Sequence, residues 1–157
     1  LDCSYRIIYL NGGYQLQIPC TSDLDELRNL LAAEQPKEEQ IYGILRIYHG
    51  DFLEEGYSWA IEAQQRYRDI VLKTLEGFAT SWLTAKQTAP PLKDCLDLAY
   101  KMDPFGEEAA KLMVRYYGEQ ANKPDLVSFY HRHTADLRAE MDIEPPEDLK
   151  KLYSGYL

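Results

Sequence analysis

Few side chains in this sequence have a capacity for chemistry, and their spacing decides against most of it. His131 and His133 form a His-x-His pair, two imidazoles of the kind that ligate zinc. On a helix, residues two apart point roughly 200° from each other, so one ion cannot readily take both rings. Cys3, Cys20 and Cys95 are widely separated with no C-x-x-C spacing, which indicates neither a zinc site nor a disulfide framework. They read as ordinary thiols in a reducing cytoplasm, small buried hydrophobes more than reagents. Gly12 and Gly13 are not followed by the Lys-Ser or Lys-Thr of a phosphate-binding loop. No serine is framed as G-x-S-x-G, and no cysteine has an evident histidine partner in sequence. Carboxylates are abundant but fall at helix starts and on solvated faces. The expectation is a protein with no metal, no cofactor and no enzyme activity.

One constellation is a candidate for binding a partner. Lys111 and Arg115 stand four apart, which places them on one face of a helix. In a chain of formal charge -9, with 17 basic against 26 acidic residues, such a pair could receive a carboxylate or phosphate from a partner. The competing use is a solvated ion pair with Glu107, Glu108 or Glu119 on the same helix. The same net charge repels nucleic acid on average, so the chain is expected to bind DNA poorly by itself. With 45% hydrophobic residues it is not a disordered chain, and no apolar run approaches the roughly 20 residues of a membrane span. No cationic start precedes an apolar run in the manner of a signal peptide. The chain opens on Leu1 without an initiator methionine, so a piece of a longer protein is expected. Thirteen tyrosines suit packing between helices and an interface equally.

These residues must be held by a mostly helical frame. The run from Tyr5 to Tyr9, the Asn11-Gly12-Gly13 turn and the alternation from Tyr14 to Ile18 predict a β-hairpin with one buried face. Ser22 or Asp23 caps a short helix from Leu24 to about Ala33, and Pro36 separates it from a second helix carrying Ile41, Ile44, Leu45 and Tyr48. The longest amphipathic stretch runs from Trp59 to Trp82, with Ser58 as its N-cap and Ala63, Tyr67, Ile70, Val71 and Phe78 on its apolar stripe. Thr84 to Pro91 reads as a connection. Three more helices are predicted, from Leu92 to Met102, from Glu107 to about Gln120 and from about Asp125 to Met141. Leu92 and Leu126 are 34 apart, as are Leu96 and Tyr130, which is the period of a tetratricopeptide repeat.

Two stretches carry a resemblance to a known family. Tyr48, His49, Gly50, Asp51, Phe52 and Leu53, followed by Trp59 at the start of the long helix, resemble the signature of the bacterial transcriptional activator domain. The closing run from Met141 through Glu144, Pro145 and Pro146 to Leu152 and Tyr153 resembles that family's last turn and helix. The resemblance covers residues 22–157 and implies an all-α, tetratricopeptide-like array of antiparallel helices, of the kind found in antibiotic regulatory proteins and some response regulators. In such arrays the face bearing Lys111 and Arg115 lines a concave groove. Residues 1–20, through Gly12, Gly13, Tyr14, Gln15 and Leu16, resemble the wing and final strand of an OmpR-type winged helix. That family's recognition helix lies just before the wing, and only four residues precede Tyr5, so DNA contact would run through a winged helix largely absent from this chain. A hairpin unrelated to DNA is the alternative. The implied function is the regulatory portion of a cytoplasmic transcriptional activator, working through self-association or contacts to the transcription machinery, with no membrane partner. The competing reading is a free-standing tetratricopeptide-like adaptor that binds a peptide.

Overall fold

The computed structural model describes residues 6–17, 22–33, 36–50, 57–87 and 90–157. Two strands, β1 (Arg6–Leu10) and β2 (Gly13–Gln17), pair antiparallel with Tyr9 opposite Tyr14 and Ile7 opposite Leu16. Asn11 and Gly12 hold φ of 51° and 83°, the two positive values a tight two-residue turn needs to match the twist of its strands. The period of two places Ile7, Tyr9 and Tyr14 on one face. That face was predicted to be buried, and it is not: the three side chains are 67%, 65% and 83% exposed. The reason is that no helix among the described residues packs extensively against the hairpin.

The helices begin with α1 (Asp23–Leu31), where Ser22 and Asp25 complete a capping box. The Asp25 N–H donates to Ser22 Oγ at 3.1 Å, and the Ser22 N–H donates to Asp25 Oδ2 at 3.2 Å. α2 (Glu38–Ile47) lies against α1 and buries Ile41 and Ile44 fully. Gly43 permits that approach, since a Cβ there would stand 2.9 Å from the Leu30 methyls. α3 (Ile61–Thr84) is the longest element. Its N-cap is Ala60, so the prediction of Ser58 is corrected: residues 58–60 form a turn, closed by the Ala60 N–H on the Tyr57 carbonyl at 2.8 Å. That turn takes Trp59 off the helical period, and its side chain is exposed instead of joining the buried stripe. The stripe that is buried runs through Val71, Leu75, Phe78, Ala79 and Leu83.

α4 (Pro90–Met102) starts two residues before the predicted Leu92. Pro90 and Pro91 occupy the first turn, where a missing N–H is no loss, so the prolines open the helix and do not belong to the connection. α5 (Glu107–Glu119) follows as predicted. α6 (Lys123–Asp136) begins at an Asn122 cap, two residues ahead of the predicted start, and passes into a π-helical turn at Leu137–Met141. Asp142, at φ 55°, reverses the chain. Arg138 clamps this reversal through two parallel hydrogen bonds to Glu144, both 2.8 Å. α7 (Glu147–Tyr156) closes the array, with Pro146 at the N-cap.

The packing order is that of stacked helix pairs. α3 lies on α4 and α5, and α5 in turn lies on α4, α6 and α7. Positions one period apart play equivalent roles: Leu92 and Leu126 are both buried, as are Ala99 and His133. This is the all-α, tetratricopeptide-like architecture with an N-terminal hairpin. Its apolar interior forms two clusters. One gathers Leu27, Ile41, Ile44, Val71 and Leu75 with Cys95 and Met102; the other gathers Ala79, Leu83, Leu92, Leu112, Leu126 and Leu149. Trp82 packs against both.

Candidate functional site

The predicted binding pair sits on α5, whose inward face carries Ala109, Ala110, Leu112, Met113 and Val114. Lys111 and Arg115 occupy the neighbouring face, toward α7. Lys111 Nζ lies 2.5 Å from Glu107 Oε1 and 3.9 Å from Asp148 Oδ2 on α7. The Glu107 carboxylate holds the ammonium and pushes its pKa upward. Arg115 lies 3.6 Å from Glu119 Oε1 and also hydrogen-bonds the Tyr156 hydroxyl. Both cations are therefore met by groups of α5 and α7, and a docking carboxylate would have to exchange with Glu107, Asp148 or Glu119.

α7 gives this end of the molecule its finish. Leu149 is fully buried, and the Tyr153 ring stacks on Tyr130 at 3.8 Å with the planes 1° apart. Tyr156 rests directly on Gly118, where an added Cβ would lie 2.3 Å from the Tyr156 Cγ. The apolar strip of Leu149, Leu152 and Tyr153 read from the sequence thus caps the last pair.

His133 and Cys95 are titratable groups inside the core. His133 stacks on Phe129, and its Nδ1 lies 3.0 Å from the Tyr100 hydroxyl. The Pro104 backbone also lies within reach of the ring. Burial pushes the His133 pKa down, against a smaller upward pull from Asp136 and Pro104. The Cys95 thiol donates to the Leu75 carbonyl at 3.4 Å, and burial pushes its pKa up to about 12. A thiol so held is a packing group, not a nucleophile. Cys3 and Cys20 lie outside the described residues, as do Asp51, Phe52 and Leu53 of the signature. Within the signature, Tyr48 is buried against the first core cluster while His49 and Gly50 are exposed. His131 is exposed and His133 buried, so the structure does not bring the two imidazoles together. Among the described residues, no three His, Cys, Asp or Glu side chains are grouped to hold a metal ion, and no helix is long and apolar enough to cross a membrane.

One concavity escaped the sequence reading. A groove of about 750 Å³ runs along α3 beside the connection between α1 and α2. Its lining includes Lys37, Lys73, Gly77, Phe78 and Trp82. Gly77 was the available signal, since a glycine in mid-helix away from any cap has a packing or a functional reason.

Neither a curated protein nor a solved structure matches the chain. The family model described as bacterial transcriptional activator domain matches residues 23–157, which begins with the first residue of α1 and takes in every helix through α7 while leaving out the hairpin. The stacked helical pairs, the capping α7 and this match agree: the chain belongs to the bacterial transcriptional activator domain family.

Proposed function

We propose that the chain is the regulatory and interaction module of a bacterial DNA-binding transcriptional regulator in the cytoplasm, acting through self-association or contacts to the transcription machinery. The observation that carries this reading is the contrast between the family-matched helices, closed at one end by α7, and the hairpin that precedes them with its apolar face uncovered. Ile7, Tyr9 and Tyr14 present the kind of face a neighbouring domain covers, which supports a hairpin that completes a winged helix. The role is mechanical: the helical array transmits or receives contacts, and no reacting group, metal or cofactor enters it.

The test is transcription from a target promoter with the whole gene product and with a version lacking residues 23–157. The expected result is loss of activation with DNA binding retained. Undiminished activation without the helices would overturn the proposal. Residues 1–157 by themselves should bind duplex DNA weakly, and a salt-sensitive submicromolar complex would contradict that part of it.

A further inference from the structure

The groove along α3 is a feature that helix packing does not require. Gly77 lines it, more than four turns from the N-terminus of α3 and about two turns before its end. A glycine inside an exposed helical turn destabilises the helix relative to alanine. Two other helical glycines have a steric reason, since a Cβ at Gly43 or Gly118 would strike Leu30 or Tyr156, and Gly155, which meets nothing, lies in the fraying last turn of α7. At Gly77 a Cβ would meet nothing within 4 Å. Among the described residues, the space above it is kept open against helix propensity and serves no contact.

The rest of the lining gives that space a character. Ile70, Phe78 and Trp82 supply apolar surface along α3, with the Phe78 and Trp82 rings 5.0 Å apart, and Pro36 supplies more across the groove. From Ile70 to Trp82 the helix advances roughly 18 Å, the length of five or six extended residues. The trough is open along that length, unlike the enclosed pockets that bury most of a small ligand. Among the described residues that line it, Lys37 and Lys73 stand against a single carboxylate, Glu38, in a protein whose net charge is -9. Among the described residues neither ammonium forms an ion pair with a carboxylate; Glu76, one turn past Lys73, feels its charge without a salt bridge.

We infer that this groove docks a segment of a protein partner in which a large aliphatic or aromatic side chain is flanked by carboxylates. The apolar side chain rests over Gly77 against Phe78 and Trp82, and the carboxylates meet Lys37 and Lys73. The inference rests on the interaction role proposed above and assigns that role a site away from Lys111 and Arg115.

The experiment is to pan a random twelve-residue peptide display library on the whole chain and measure the enriched peptides by titration. In a Trp59→Phe background Trp82 is the sole tryptophan and reports occupancy by its fluorescence. The expected peptides carry Leu, Ile, Phe or Trp beside Asp or Glu and bind at least tenfold more weakly to Gly77→Leu and to the Lys37→Glu/Lys73→Glu double variant. Because the position is open, Gly77→Leu should keep the wild-type circular dichroism spectrum and an equal or higher Tm, so loss of binding cannot be laid to misfolding. Enriched peptides without carboxylates, or undiminished binding to Gly77→Leu, would overturn the groove assignment. Binding that is lost only in Lys111→Glu/Arg115→Glu would also overturn it while leaving the interaction role intact. Failure to enrich any peptide overturns the groove, and the transcription experiment then judges the role separately.

Discussion

At the C-terminal end of the helical stack, α7 lays Leu149, Tyr153 and Tyr156 over α5 and α6, and Gly118 in the middle of that contact is covered by a ring. Near the other end, α3 leaves Gly77 open beside two lysines, and the hairpin turns Ile7, Tyr9 and Tyr14 outward. The same residue type is thus used in opposite ways. Gly118 is small because something must fit against it, and Gly77 is small although nothing among the described residues does. A closed end needs only stability, whereas an open end is where a partner can be accommodated.

Leu149→Ala removes a fully buried side chain from α7 and should lower stability by about 2–5 kcal/mol, measured by urea unfolding. A change below 1 kcal/mol would mean that α7 is not needed to close the array. The two glycines sharpen the contrast further. Gly118→Ala should destabilise by about 1–3 kcal/mol as Tyr156 is pushed off, partly offset by the better helix propensity of alanine. Gly77→Ala should instead stabilise by up to about 1 kcal/mol. Equal signs for the two substitutions would remove the distinction.

His133 offers a gentler probe of the same packed region. Burial lowers its folded pKa below the ordinary 6.5, so folding holds the ring neutral. That stability is present above the unfolded value and is lost as pH falls from there through the lower folded value. The Tm should therefore drop between pH 7.5 and 5.5 by more in the wild type than in His133→Gln, and an equal drop in both would clear His133 of a role. The smallest effect belongs to the open side: Tyr14→Ser on the hairpin should change stability by less than about 0.5 kcal/mol, because the ring is already exposed.

How much of this was legible from the residues depends on the range of the interaction that set it. The Ser22 cap, the Asn11-Gly12 turn and α5 are decided within a few positions, and the sequence expressed them directly. The 34-residue period identified Leu92 with Leu126, and both are buried. Ser58 looked like a cap because its type is right, but the turn at residues 58–60 delays the helix to Ile61, a choice the local alphabet does not reveal. The hairpin's alternation promised a buried face without saying what would cover it. At Lys111 and Arg115 the carboxylates of the same helix were visible in sequence, whereas Asp148 and Tyr156 arrive only when α7 folds back. The groove needed Ala33, Pro36, Lys37 and Glu38 to be brought beside α3, a juxtaposition that spacing along the chain does not carry.

α3 belongs to both halves of the apolar interior. It places Val71, Leu75 and Phe78 in one apolar cluster and Ala79 and Leu83 in the other, with Trp82 against both. Neither cluster can melt without taking apart a helix that the other also needs, so the array lacks the seam at which repeat proteins come undone piecemeal. Calorimetry should record one cooperative transition, and a version of the chain cut in the middle of α3 should leave neither half able to fold.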